Sequence, residues 1–179
     1  MEKWEKISEN DIYKNHIFTL KNYSCHNGKK QVNHDFKIIE TFDWINIVPV
    51  TEDGKIIMVH QHRLGTDEIT IETPGGLCDP GENHLKTAER ELSEETGYKA
   101  GQFTVLAELR NNPAIMNNNI YYYLAEGCIK TGNQSLDAAE DIELSEHSLD
   151  EIQTMINDGT INHSIVVLAL KLYFEKVRL

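Results

Sequence analysis

Three glutamates near the middle of the chain, Glu91, Glu94 and Glu95, have the residue type and spacing of a divalent-cation site. An α-helix turns by about 100° per residue, so these three positions share one side of a helix, within about 100° of arc. Arg90 lies four residues before Glu94 and can pair with it, but one guanidinium cannot neutralise three carboxylates. Oxygen donors without histidine or cysteine favour Mg²⁺ or Mn²⁺ over zinc. The pattern therefore indicates a helix that presents carboxylates to a hard metal ion.

The residues around these glutamates predict the elements that must position them. Ala88 and Leu92 recur at helical spacing and form an apolar stripe beside the carboxylates. Gly97 stands where a left-handed C-cap belongs. Pro74-Gly75-Gly76 ends a strand predicted over residues 69–73. We therefore expect a glycine turn followed by a helix that packs on a sheet.

The rest of the pattern predicts an α+β fold with a β-rich N-terminal extension. Strands are expected at residues 44–50, 56–60, 103–109 and 119–125, a β-hairpin within 17–40, and helices over about 148–159 and 163–177. The extension is too small to bury a core of its own, which hints that it packs on a second subunit.

Composition limits the partners. The chain has 179 residues, and 17 Lys and Arg against 29 Asp and Glu give a formal net charge of -12. Such a chain lacks the basic face that nucleic acids or anionic membranes require. No apolar run reaches the ~20 residues of a spanning helix, and the charged N-terminus has no signal-peptide pattern. Three widely spaced cysteines, Cys25, Cys78 and Cys128, are typical of reduced thiols, so we expect a cytoplasmic protein.

Two segments carry the negative charge. Residues 67–108 have a net charge of -7, and residues 137–158 have a net charge of -8. Solvated acidic surface is the simpler explanation of such clusters, and a cation site is the alternative. The helical spacing of the three glutamates decides in favour of a cation site for the first cluster.

The segment from Gly76 to Tyr98 reads GLCDPGENHLKTAERELSEETGY. It resembles the Nudix box, in which a glycine is followed by five residues, Glu, seven residues, Arg-Glu, an aliphatic residue, any residue, Glu-Glu, any residue and Gly-aliphatic. The positions in register are Gly76, Glu82, Arg90, Glu91, Leu92, Glu94, Glu95 and Gly97. Tyr98 departs from the pattern, since an aliphatic residue is usual there. The resemblance to Nudix hydrolases implies an α/β/α sandwich with a mixed sheet over residues 41–179, preceded by a small antiparallel β extension over 1–40 that serves as a dimerisation element.

Within that family the chain resembles the ADP-ribose and nucleotide-sugar pyrophosphatases. Gln61-His62-Arg63 matches a Gln-x-Arg strand, Glu72-Thr73-Pro74-Gly75-Gly76 matches a Glu-x-Pro-Ala-Gly entry, and Pro113 stands where this branch tends to place a proline. The resemblance implies Mg²⁺-dependent hydrolysis of ADP-ribose or a related nucleotide sugar to a nucleoside monophosphate and a sugar phosphate. Alternatives are another nucleotide substrate, such as a nucleoside triphosphate, a dinucleotide or a capped RNA end, or a non-catalytic nucleotide-sugar sensor.

The resemblance also implies a set of site residues. Glu91 and Glu95 would be the leading metal ligands, and the Gly75 carbonyl would be a further one. Glu94 would act through a water or as the base, and Arg90 would orient the carboxylates. Arg63 would grip phosphate, with an exposed ion pair as its alternative role. The implied metal ligands are Gly75, Glu91, Glu94, Glu95 and Glu140, the implied catalytic residues are Glu94, Glu95, Glu140 and Arg90, and the implied substrate contacts are Arg63, Glu72 and Phe36.

Two of these assignments concern segments outside the box. Members of the branch often carry a glutamate on a late loop, and Glu140 best matches it, although Ala138 stands where a second acid is frequent. Whether Glu140 is a base, a metal ligand or both stays open. The branch also sandwiches the base between aromatic residues of the N-terminal region, and Phe36, Trp4 and Trp44 are the candidates here.

Overall fold

The computed structural model describes residues 1–177. They divide into two compact units. The first contains Met1–Asp43 and Leu109–Asn119, and the second contains Trp44–Glu108 and the residues from Ile120 onward.

The first unit is a three-stranded antiparallel sheet in the order β1-β2-β3. Its strands are β1 (Glu5–Lys14), β2 (Phe18–Asn27) and β3 (Val32–Thr41). The hairpin predicted within residues 17–40 is present as β2 and β3. Strand β1 was not predicted, because its ten residues are all exposed and mostly polar, without the alternation that indicates a half-buried strand. Backbone bonds from Ile39 to Ile115 (2.7 Å) and from Asn117 to Ile39 (3.3 Å) join the 109–119 segment to β3.

The second unit contains a mixed eight-stranded sheet and three helices. The strands are β4 (Trp44–Thr51), β5 (Ile56–Arg63), β6 (Glu68–Glu72), β7 (Gly75–Leu77), β8 (Tyr98–Lys99), β9 (Gln102–Arg110), β10 (Asn119–Lys130) and β11 (Ile142–His147), and the helices are α1 (His84–Thr96), α2 (Leu149–Asn157) and α3 (Ser164–Val177). The central order is β11-β5-β4-β10-β8, with β6 paired to β5, β7 to β4 and β9 to β10. Strands β4 and β10 are parallel, which makes the sheet mixed as expected.

Alternation along the central strands places helices on both faces of this sheet. Ile47 of β4 belongs to a buried cluster with Leu92 of α1, whereas the next residue, Val48, belongs to a second cluster with Ile152 of α2 and Leu170 of α3. This is the expected α/β/α sandwich. Among residues 1–177, no helix is long and apolar enough to cross a membrane.

The three predicted helices are confirmed, and Ser148 and Glu151 form the expected capping box before α2. Three short strands, β7, β8 and β11, were missed. β11 lies in the acidic segment that was interpreted as loop, and β7 contains the two glycines that were expected only to interrupt a strand. Both pair with strands distant in sequence, so local pattern gave no signal for them.

Candidate active site

Helix α1 places the box glutamates at the edge of the core. It begins after Asn83, whose side-chain oxygen accepts hydrogen bonds from the first-turn backbone, and it ends at Gly97, which has a φ of 73°. Its apolar stripe packs on the sheet, so two of the glutamates are drawn into the interior: Glu91 is 8% exposed and Glu95 is 5% exposed. The Glu94 side chain is 41% exposed.

The Pro-Gly-Gly turn lies directly against these two carboxylates. The Gly75 N–H donates to Glu95 Oε2 at 3.0 Å. A Cβ added at Gly76 would overlap the Glu91 carboxylate, and one added at Gly75 would overlap the carbonyl oxygen of Ile45. Only glycine permits this approach of turn, strand and helix.

Arg90 lies at the centre of a cluster of box carboxylates. Its Nη1 donates to Glu91 Oε1 and to Glu94 Oε2, both at 2.9 Å, and its Nη2 donates to Glu82 Oε2 at 3.1 Å. The guanidinium also reaches the Leu77 carbonyl at 3.4 Å. Arg90 thus fixes three acidic side chains, which is the geometry that an orienting residue requires.

The two buried glutamates lack enough positive charge around them. Burial raises the pKa of Glu91 to about 7, although Arg90 opposes the rise. Burial likewise raises the pKa of Glu95 to about 8, against the hydrogen bond from Gly75, and the charges of Glu91 and Glu140 add to the rise. A divalent cation would remove this electrostatic cost, and the all-oxygen donor set suits Mg²⁺ or Mn²⁺. As the side chains stand, no three acidic, histidine or cysteine residues within residues 1–177 converge on one point. The Gly75 N–H holds an oxygen of Glu95, and Arg90 holds an oxygen of Glu91.

Arg63 forms a two-bond ion pair with Glu72. Arg63 Nε and Nη2 donate to the two Glu72 oxygens, each at 2.7 Å. Thr70 also donates to Glu72, and His163 Nδ1 lies 3.2 Å from Glu72 Oε2. Burial acts against ionisation of Glu72, yet the bonds from Arg63 and Thr70 and the nearby His163 ring outweigh it and hold the Glu72 pKa well below its usual range. The pair leaves Arg63 Nη1 as a further donor.

One cavity of about 360 Å³ brings together four of the predicted site residues, Arg63, Glu72, Gly75 and Glu95, whereas Phe36, Arg90, Glu91, Glu94 and Glu140 are not in its lining. Its lining includes Trp44, Arg63, Glu72, Gly75, Glu95 and His163. A cleft of this size with a few convergent polar groups and perturbed pKa values is the usual form of a ligand site. His163 was missed in the sequence analysis, because a histidine before the last helix has no partner within reach along the chain.

Glu140 lies on the loop between β10 and β11. Its backbone N–H donates to the Asp137 carbonyl at 2.9 Å, and its side chain accepts from the Asp137 N–H at 3.0 Å. Its charge is among the causes that raise the pKa values of Glu91 and Glu95, so its carboxylate lies within electrostatic reach of the box.

Of the two aromatic candidates in the first unit, Trp4 and Phe36, the implied substrate contact is Phe36. It lies on β3, edge-on to the Trp4 ring at 5.2 Å and to the His34 ring at 4.8 Å between ring centroids. Trp44, the third aromatic candidate, lies in the second unit and lines the cavity described above.

Comparison with known proteins agrees with this architecture. A family model described as the NUDIX domain matches residues 43–168. The chain belongs to the Nudix family. The methanol dehydrogenase activator of Bacillus methanolicus is 34% identical over 71% of this chain and 69% of its own length. The ADP-ribose pyrophosphatase of Bacillus subtilis (strain 168) is 28% identical over 93% of this chain and 96% of its own length.

A solved structure supports the Nudix fold for the chain. The crystal structure of an ADP compounds hydrolase superposes with a TM-score of 0.88 at 23% identity, and the match covers 99% of this chain and 96% of that one. The Nudix box of this chain is thus the loop and helix in which Gly75, Gly76, Arg90, Glu91 and Glu95 meet.

Proposed function

We propose that the protein is a Mg²⁺-dependent pyrophosphatase that hydrolyses the diphosphate linkage of ADP-ribose or a related nucleoside diphosphate sugar, yielding a nucleoside monophosphate and a sugar phosphate. One observation carries the proposal: the buried carboxylate Glu95, the Gly75 turn and the paired guanidinium of Arg63 line a single cavity. The names of several relatives support it, since they include ADP-ribose pyrophosphatase and GDP-mannose pyrophosphatase.

The residues of the turn and of α1 fit a divalent cation. Glu91 and Glu95, with the Gly75 carbonyl, would hold it, and Glu94 and Glu140 would complete the set. When bound, the ion would neutralise the charge of the diphosphate and lower the pKa of water. Mn²⁺ shares the preference for oxygen donors and is the expected substitute. The space that Gly76 leaves for the Glu91 carboxylate is the structural support for this assignment.

The acidic side chains and Arg90 are proposed to have different roles in hydrolysis. Glu94, Glu95 and Glu140 are the candidates for removing the proton of the attacking water, because a positioned carboxylate can act as a general base. Arg90 keeps the acids in place through its bonds to Glu82, Glu91 and Glu94.

Arg63 is proposed to bind the phosphates, and Glu72 to position Arg63. A guanidinium fixed through Nε and Nη2 presents its remaining N–H groups in a defined direction, which favours contact with phosphate oxygens. Glu72 is almost fully buried, so it cannot turn away from Arg63 without losing a partner in the interior. Phe36 is proposed to stack on the base, supported by the aromatic cluster that it forms with Trp4 and His34.

One assay tests the reaction. The protein is incubated in Mg²⁺ with ADP-ribose, other nucleoside diphosphate sugars, nucleoside triphosphates, dinucleotides and coenzyme A, and the products are separated. Release of a nucleoside monophosphate from a diphosphate-linked sugar is the expected result. Release of inorganic pyrophosphate would identify the triphosphate alternative, and tight binding without turnover would identify a sensor.

Residues 1–40 are proposed to form the dimerisation element of a cytoplasmic homodimer, with residues 41–179 as the Nudix domain. The exposed apolar residues of β1 support the interface: Ile7 is 61% exposed and Ile12 is 48% exposed. The free, buried thiols of Cys25, Cys78 and Cys128 support a reducing compartment. Sedimentation of the full chain tests the dimer, and Ile7→Asp with Ile12→Asp should shift it to monomer.

A further inference from the structure

The segment from Thr131 to Ser135 lies against the C-terminal end of α1. The last carbonyls of an α-helix have no partners within the helix and must be satisfied from outside. Here the Ser135 N–H donates to the Glu94 carbonyl at 2.8 Å, and the Thr131 N–H donates to the Gly97 carbonyl at 2.9 Å. The backbone of the turn that carries two site glutamates is therefore held by this segment.

Gln134 makes the connection that links this helix end to the Glu140 loop. Its side-chain Nε2 donates to the Glu95 carbonyl at 2.7 Å and to the Ile142 carbonyl at 3.0 Å. Ile142 is the first residue of β11, and Glu140 stands two residues before it. A primary amide has two N–H groups, so the one side chain of Gln134 can join the C-terminal end of the loop to the backbone carbonyl of Glu95.

The close approach of this segment depends on Gly97 as well. A Cβ added at Gly97 would overlap the Gly132 carbonyl, and the left-handed φ of 73° independently favours glycine. The helix end and the start of the loop are thus packed backbone against backbone. Gln134 adds the side-chain bond that extends this contact to the far end of the loop.

We propose that Gln134 is a positioning residue that sets where Glu140 stands relative to Glu95 of α1. The proposal rests on the proposed function, in which Glu140 takes part in hydrolysis. Within the loop, Glu140 bonds to Asp137. These bonds shape the turn itself, but they do not fix the position of the loop relative to α1. The bond from the Ser135 N–H to the Glu94 carbonyl holds the start of the loop, and the pairing of β11 with β5 holds its end. The Gln134 amide joins these two ends, because it contacts the helix and β11 at once.

The test replaces the amide by a side chain of similar length that cannot donate. Gln134→Met should lower kcat by about 10- to 100-fold with KM changed by less than about threefold, since a misplacement of ~1 Å has that order of effect. The matched control is Gln153→Met, because the Gln153 amide donates to the Asn157 side chain within α2 and, among residues 1–177, to no residue of the Glu140 loop or of α1. An unchanged kcat in Gln134→Met would overturn the proposal.

A double-mutant cycle distinguishes positioning of Glu140 from a general loss of structure. If Gln134 acts through Glu140, adding Gln134→Met to Glu140→Gln should change kcat by less than about threefold. A loss in the double variant equal to the product of the two single losses would show that Gln134 acts elsewhere. Gln134→Asn is the second variant if Gln134→Met does not fold, because its shorter side chain keeps the donor but reaches one carbonyl only.

Hydrogen exchange separates this inference from the proposed function. The amides of Ser135 and Glu140 both donate within this region and report on its opening. They should exchange faster in Gln134→Met than in Gln153→Met, and equal rates would overturn the tether. If the wild-type protein hydrolyses none of the nucleotides tested, the proposed function fails, while the exchange rates still decide whether Gln134 holds the loop.

Discussion

Gly76 and Glu91 stand so close together that the glycine position has no room for a side chain. A Cβ built on Gly76 would overlap both carboxylate oxygens of Glu91. The backbone at Gly76 cannot easily withdraw, because it pairs with Ile45 in the contact between β7 and β4. The Pro-Gly-Gly turn and helix α1 are therefore in direct contact at Glu91, the proposed metal ligand.

Replacing Gly76 by alanine should expel the Glu91 carboxylate from its position. We expect a Mg²⁺ affinity at least about tenfold lower and a loss of folding stability of about 1–3 kcal/mol, the usual effect of overpacking. Titration calorimetry with Mg²⁺ and denaturant unfolding measure the two quantities. Gly65→Ala is the control, since a Cβ there meets no atom within 4 Å. A Gly76→Ala protein that binds Mg²⁺ as tightly as the control would exclude this role for the glycine.

Glu140→Gln should lower kcat by about 10²- to 10⁴-fold if Glu140 is the general base, because that is the range over which a positioned base contributes. The substitution keeps the size of the side chain and removes its charge. Glu94→Gln and Glu95→Gln should also lower kcat strongly, and measuring all three at several Mg²⁺ concentrations separates ligands from bases. Excess Mg²⁺ should partly restore a variant that has lost only a ligand.

The control for Glu140→Gln is Glu143→Gln, an exposed acid three residues further on β11. Its kcat should equal that of the wild type. Full activity in Glu140→Gln would show that the loop assignment is wrong, and the general base would then have to be a box glutamate.

The helix of the site was predictable because its signals are local. The spacing of Ala88 and Leu92 and the glycine at position 97 both lie within a few residues of the helix that they define. The same spacing places Glu91 and Glu95 on one side. What the pattern left undetermined is the exposure of each acid, since the depth of Glu95 depends on the sheet beneath it.

Other parts of the site depend on contacts between distant residues. Strand β11 exists because residues 142–147 pair with β5, although their acidic composition indicates solvent-exposed loop. The two bonds of Gln134 and the approach of His163 to Glu72 join residues that are far apart in sequence. A glutamine or a histidine in isolation carries no signal of such a contact, so the sequence alone assigns a role to neither residue.

Arg63→Lys should weaken substrate binding while Glu72 stays in place. Lysine keeps the charge but loses the planar pair of bonds, so we expect KM to rise by roughly tenfold with a smaller change in kcat. Glu72→Gln should raise KM as well and should lower stability by about 1–3 kcal/mol, since a buried charge partner is lost. Steady-state kinetics and urea unfolding measure these effects.

The control for this pair is Asp67→Asn, which removes the exposed partner of His62 on the same hairpin. Exposed pairs contribute little, so KM and stability should stay at wild-type values. If Arg63→Lys also left KM unchanged, Arg63 would serve only as an ion-pair partner of Glu72 and would not bind substrate.

The buried acids predict how stability changes with pH. The pKa values of Glu91 and Glu95 are raised in the folded state, from 4.5 to about 7 and about 8, chiefly by burial. Between pH 4.5 and about 8 the folded protein therefore binds more protons than the unfolded one, so these groups make the metal-free protein less stable as pH rises. Glu72 has a lowered pKa, and its contribution is lost only as the pH falls below this window.

Thermal unfolding in EDTA and in Mg²⁺ should reveal this effect. In EDTA the melting temperature should fall by several degrees between pH 5.5 and pH 8, at about 2–4 °C per kcal/mol for a chain of this size. Mg²⁺ should raise it more at pH 8 than at pH 5.5, because proton loss frees the carboxylates to bind the ion. Glu95→Gln removes the acid with the higher pKa and should flatten the fall in EDTA. An equal effect of Mg²⁺ at both pH values would mean that the ion binds away from Glu91 and Glu95.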